Sequence, residues 1–166
     1  MKITIGIDGK GIDKAIRDTE RYQKWVERKS KELVRRLAQH GATYASLEFS
    51  RAIYTGENDY KVTVEPKGDN AYIVKATGDS VLFVEFGAGY RYGNGHPEEA
   101  TFNYGAGTYP EGKGHWKDPK GWWLPREKTG GIATHTYGNP PNAPMYNARK
   151  QVVEDIEQIA REVFNS

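Results

Sequence analysis

Apolar and polar residues alternate in different rhythms along this chain, and each rhythm predicts a different element. Over residues 1–8, Ile3, Ile5 and Ile7 alternate with Lys2, Thr4 and Gly6, which predicts a half-buried strand closed by Asp8 and Gly9. From about 11 to 53 the period lengthens. Ile12, Ile16, Tyr22, Val26, Leu33, Leu37, Tyr44 and Leu47 recur at roughly helical steps, with no proline among them. That spacing predicts one long amphipathic helix. Gly41 weakens it by about 1 kcal/mol relative to alanine and marks the place for a bend. With Ala42 and Ala45, it also leaves room for another element to come close. A helix this long cannot bury one face along its whole span on a single small sheet. Part of it is expected to pack on a neighbouring subunit.

Short alternations follow. Residues 61–65 alternate around Val62 and Val64, residues 71–76 around Tyr72 and Val74, and tight polar turns occupy 66–70 and 77–79. The most apolar run, Val81-Leu82-Phe83-Val84-Glu85-Phe86, stops at Gly87-Ala88-Gly89 and reads as a third strand. Glu85 lies between Val84 and Phe86, where a carboxylate needs water, a cation or a partner's donors. Turns this tight imply an antiparallel meander, to which residues 1–8 add an edge. Near the end, Met145, Ala148, Val152, Ile156, Ile159 and Val163 mark one face of a closing helix. Pro144 suits its first turn. Glu154, Asp155, Glu157 and Glu162 are expected on its other face. The fold class is α+β, with both helices packed on a small meander in a single domain over 1–166.

Between the third strand and the closing helix, residues 87–141 form a long insertion rich in glycine and aromatic residues. It carries Tyr90, Tyr92, Trp116, Trp122 and Trp123. It is too long to be structureless inside a compact domain and too aromatic to be a linker. A hairpin with 121–126 and 132–137 as strands is expected, its rings finding burial partly on another chain.

Composition narrows the chemistry. The formal net charge of +2 supplies no global basic field for nucleic acid, although the first part of the long helix holds more Lys and Arg than Asp and Glu. Mixed charges at that spacing read first as a solvated face laced with weak pairs. Absence of cysteine excludes disulfides, thiolate metal sites and a cysteine nucleophile. The N-terminus shows no signal-peptide pattern, and no stretch is apolar enough to span a bilayer. His96, His115 and His135 with Glu98, Glu99 or Asp118 fit no compact ligand spacing, so no metal or other cofactor is expected. No Ser/His/Asp set and no paired carboxylates occur at telling positions, and no enzymatic activity is expected. The tryptophans and tyrosines near Arg91, Lys113, Lys117 and Lys120 allow an alternative reading. In it the loop is a non-catalytic module stacking on carbohydrate or single-stranded nucleic acid.

Two short signatures stand out: Val84-Glu85-Phe86-Gly87 at the end of the apolar run, and Pro144-Met145 with Ala148 at the start of the last helix. With the long first helix and the small meander, they make the chain resemble the siphophage neck or tail-completion family. That is the tail-component family typified by gene product ten of the lambdoid phage HK-ninety-seven. Its first signature reads Val-Glu-Phe-Gly-Thr, with Ala88 here in place of the threonine. Its second reads Pro-Phe-(Leu/Met)-x-x-Ala, with Met145 here in place of the aromatic. The loop between the signatures is much longer here. The resemblance implies a structural virion protein of the head–tail junction, found in the host cytoplasm before assembly. It implies a ring of six or twelve copies joining connector or head-completion proteins to tail-tube or terminator proteins. Genomic DNA would pass through the lumen without sequence readout, and no membrane would be involved. Glu85, Phe86, Gly87, Tyr90, Tyr92, Trp116, Trp122, Trp123, Pro144 and Met145 are the expected interface residues, with Glu85 an interface or loop-anchoring acid.

Overall fold

The computed structural model describes residues 9–89, 95–102 and 118–166. Gly9–Arg51 forms one 43-residue helix, α1, about 65 Å long at 1.5 Å per residue. Helical assignment runs unbroken through Gly41, which is buried. A methyl group there would meet Val152 Cγ2 at 3.1 Å and Val74 Cγ2 at 3.9 Å, so the glycine lets two elements close in on α1. The expected strand over 1–8 lies outside the described residues.

After α1, β1 (Lys61–Pro66) and β2 (Tyr72–Thr77) form an antiparallel hairpin with Val64 opposite Val74. In β2, Tyr72, Val74 and Ala76 are the better covered residues, as period-2 patterning requires. The meander goes no further: Val81–Phe86 is a short helix, α2, and not the expected third strand. A six-residue apolar run carries too little periodicity to separate the two states. The observed burial of Val81, Val84 and Glu85 beside an exposed Leu82 follows helical and not alternating spacing. What holds α2 as a helix comes from distant parts of the chain. Asp59 Oδ1 and Oδ2 accept from the Ser80 and Asp79 N–H groups at 2.8 and 2.9 Å at its start.

A four-residue helical turn, α3 (Glu99–Phe102), precedes a second two-stranded sheet. This is the expected hairpin with shorter strands. β3 (Trp122–Leu124) pairs with β4 (Thr134–Thr136), setting Trp123 opposite His135, and a 3-10 turn at Arg126–Lys128 lies in the connection. The closing helix, α4 (Pro144–Asn165), spans 22 residues. It runs antiparallel to α1, as the cross-pairs show. Lys29 Nζ donates to Ser166 O and Oγ, both at 2.8 Å, and His40 Nε2 lies 2.8 Å from Asp155 Oδ2. Asn147 Nδ2 donates to Glu48 Oε2 at 3.1 Å. Asp155 therefore turns towards α1 and not to the outer face. Its carboxyl is held below the usual range, first by the Gln151 side chain and then by His40.

The core gathers where these elements cross. Phe49, Val81 and Val84 are buried together, with Ala52, Tyr54, Tyr60, Val62, Ala76 and Met145 against them. The Phe49 and Tyr60 rings stack at 5.0 Å, and the Tyr60 hydroxyl donates to Ser46 O at 3.1 Å. This cluster packs around Phe49, near the C-terminal end of α1. The fold is α+β, with two small hairpins and a helical α2 between them.

Candidate functional site

The two sequence signatures meet in space. Every helix leaves N–H groups without partners at its start and C=O groups at its end. At the junction of α2 and α4 these two sets are settled by each other. The carboxylate of Glu85, in the last turn of α2, accepts from Met145 N–H at 2.8 Å and Tyr146 N–H at 3.1 Å, the first turn of α4. In return, the chain leading into α4 donates to the last carbonyls of α2. Asn139 Nδ2 donates to Phe83 O at 2.8 Å, Asn142 N–H to Val84 O at 2.9 Å and Ala143 N–H to Glu85 O at 3.1 Å. Negative charge at a helix N-terminus is also favoured by the helix dipole. Pro144, buried at the first helical position, has no N–H to satisfy.

His96 completes the joint. Its Nδ1 accepts from the Glu98 N–H at 3.0 Å, so Nε2 carries the proton and donates to Glu85 Oε1 at 3.2 Å. Glu85 and His96 are 6% and 5% exposed. The Phe86 ring lies tilted against the imidazole at 4.5 Å, and the Tyr146 ring meets it edge-on at 5.9 Å. The sequence names no partner for Glu85. The structure puts His96 beside it, eleven residues along the chain, where no short-range motif marks it.

The same joint closes the neck of the insertion. Ala88 and Asn139 exchange both backbone hydrogen bonds, at 2.9 and 3.0 Å, so the chain leaves and returns at one place. Gly87, at φ +77°, sits under Pro141, and a methyl group would lie 2.7 Å from Pro141 N. Of the expected interface residues, Glu85, Phe86, Gly87 and Pro144 are thus buried inside this joint, and Met145 is half-buried beside it. Tyr90, Tyr92 and Trp116 lie outside the described residues.

Trp122 and Trp123 belong to a separate feature, a cleft of about 400 Å³ between the β3–β4 hairpin and the 54–59 loop. Trp122, Trp123, Tyr54, Phe83 and Leu124 supply its apolar walls, and Asp59, Asp79 and Lys128 its polar end. Trp123 is exposed, and its ring meets His135 edge-on at 5.1 Å. Glu57 N–H donates to Lys128 O at 2.8 Å and Lys128 Nζ to Asp79 Oδ2 at 2.8 Å, which tie the hairpin to the body. Asp79 and neighbouring acids raise the pKa of Lys128. The Asp59 carboxyl is held down to about 2, chiefly by the hydrogen bond from the Ser80 side chain and further by the Ser80 and Asp79 N–H groups. Burial, ahead of the nearby acids, raises the pKa of Tyr54. Of the histidines considered for a metal, His96 is committed to Glu85 and His135 to the Trp123 and Tyr137 rings, and His115 lies outside the described residues. Among the described residues no three metal-binding side chains converge, and no helix is long and apolar enough to cross a membrane. Comparison of the chain with protein-family models, curated proteins and solved structures finds no match.

Proposed function

We propose that this protein is a structural component of a siphophage head–tail junction. In this reading it assembles as a ring around the DNA channel and links connector to tail. The observation that carries the proposal is the Glu85 carboxylate on the Met145 and Tyr146 N–H groups. The two signatures behind the family resemblance are sixty residues apart, yet they form one reciprocal helix joint. Two further features support it. The Glu85 oxygens are already filled by three donors from this chain, a structural and not a catalytic use of a buried acid. In addition, α1 is about twice as long as the helix packed along it, which suits a subunit with neighbours on both sides.

The test is assembly. Purified protein, alone and mixed with candidate connector and tail proteins, is sized by light scattering and imaged by electron microscopy. Rings are expected, alone or on mixing. A chain that stays monomeric with every virion protein offered removes the proposal.

The cleft beneath β3 favours one second reading, a binding module for carbohydrate or single-stranded nucleic acid, because its walls are aromatic and its volume suits a small ligand. Its mark is saturable binding by the isolated monomer in a glycan and oligonucleotide screen, lost in Trp123→Ala.

A further inference from the structure

The apolar stripe of α1 does not stop where α4 stops. Trp25 and Lys29 mark the end of α4 along α1: the Trp25 ring lies edge-on to Phe164 at 5.6 Å, and Lys29 Nζ holds Ser166. Residues 9–24 run on past that point for roughly 24 Å. On that stretch Tyr22, Thr19, Ile16 and Ile12 continue the same helical face, at three- and four-residue steps from Val26. Tyr22 is 42%, Ile16 53% and Ile12 49% exposed. Further along α1 the same face carries Leu37 and Gly41, the side on which α4 lies.

A second apolar strip lies elsewhere on the molecule. Val34, Leu37, Val74, Val152 and Val153 line a trough between α1, β2 and α4, with about 440 Å³ of open volume. Val153, 66% exposed, leads on to Ile156, 46% exposed, and Ala160 at helical spacing along α4. Over 153–164 the acids of this helix not turned to α1 are Glu154, Glu157 and Glu162, against Arg161, which pairs with Glu157 at 2.6 Å, while Lys150 lies 3.8 Å from Glu154. At the other end Arg149 is paired with Glu98 at 2.7 Å. The projecting stretch has the opposite balance. Over 9–24 it carries Lys10, Lys14, Arg17, Arg21 and Lys24 against Asp13, Asp18 and Glu20.

Apolar stripe and charge sign are thus complementary between two different patches of one molecule. We infer that residues 9–24 of α1 dock on the trough and acidic face of α4 in a second copy of this chain. The inference rests on the ring reading above, because a patch that meets a different patch on the next copy makes a head-to-tail contact that closes into a ring or continues as a filament. Pairing two α1 stripes with each other would set basic stretch against basic stretch, the less favourable arrangement.

Two double variants of the full chain separate the surfaces. Ile12→Glu with Ile16→Glu disables the projecting stripe, and Val153→Lys with Ile156→Lys disables the receiving face. Circular dichroism and thermal melting confirm that both remain folded. By light scattering, the unaltered protein is expected to grow in mass over roughly a hundredfold rise in concentration, and each variant to stay monomeric. An equimolar mixture of the two variants should form a one-to-one heterodimer and stop there, because each retains one competent surface. A Val153/Ile156 variant that keeps the unaltered protein's size overturns the docking in favour of stripe-to-stripe pairing. So does an unaltered protein that is monomeric throughout, and one that instead sediments with phosphatidylserine vesicles assigns the stripe to a membrane surface. Both variants assembling normally also overturn this docking, while the ring reading stands on another surface. The ring reading fails separately, when no connector or tail protein brings the chain into rings.

Discussion

The α2–α4 joint and the first half of α1 treat polar and apolar groups in opposite ways. At the joint a carboxylate, an imidazole and two helix ends are buried, and the groups named there are paired within the chain. On residues 9–24, isoleucines and a tyrosine face outward at helical spacing among mixed charges. Buried polar groups with full pairing specify a structure that needs nothing from outside. A regular exposed apolar stripe on a helix leaves its burial to something else. Of the residues expected as interface from the sequence, Glu85, Phe86, Gly87 and Pro144 lie in the first region, Trp122 and Trp123 line the separate cleft, and Tyr90, Tyr92 and Trp116 lie outside the described residues. The exposed stripe, which the sequence showed only as a helix too long for its sheet, is the surface proposed above to dock on a second copy.

The contrast can be broken by mutation. The largest loss of stability is expected from Glu85→Ala. It strips the N–H groups of Met145 and Tyr146 of their acceptor and leaves His96 Nε2 unpaired, at a cost of about 4 kcal/mol. Glu85→Gln keeps one acceptor oxygen and is expected to lose about half of that; urea titrations of both compare the two. Should Glu85→Ala unfold no more easily than the parent, the joint is not what holds α2 and α4 together. Next comes Gly87→Ala. Its positive φ and the closeness of Pro141 put the cost at about 2 kcal/mol, read from the thermal midpoint.

A pH titration probes the start of α2. The Asp59 carboxyl titrates at about 2 in the folded chain against 3.8 as a free side chain, so it binds protons less readily when folded. Its contribution is therefore complete above about pH 4 and disappears as the pH falls towards 2. The urea midpoints of the parent and Asp59→Asn should differ at neutral pH and draw together across that window. A gap that stays constant with pH contradicts the assigned cap. The smallest effect is expected on the projecting helix. Ile12→Ser and Ile16→Ser should change monomer stability by no more than about 0.5 kcal/mol, because little apolar burial is lost at either position. A loss as large as that of Gly87→Ala would mean that the stripe is covered within its own chain, and would erase the contrast.

Much of the scaffold was legible from the chain alone. The 3.6-residue rhythm of 11–53 and of the closing segment, and the alternation on both sides of the 66–70 turn, determined α1, α4 and the β1–β2 hairpin. The small residues at Gly41 and Ala45 announced the close approach of another element, and at Gly41 both α4 and β2 come near. Local period and turn chemistry suffice where an element's state depends on its own residues. The α2 segment was not legible in that way. Its helical state depends on Asp59 at its start and on Asn139, Asn142 and Ala143 at its end, groups about 21 and 56 or more residues distant. Nothing within six apolar residues encodes them. Glu85 was conspicuous as an acid in an apolar run, but its partners were not. Only the fold brings His96 and the start of α4 to its oxygens, because a buried carboxylate must find donors wherever the chain supplies them. The tertiary structure also decided which half of α1 is covered, since α4, at 22 residues, can shield only about half of a 43-residue helix.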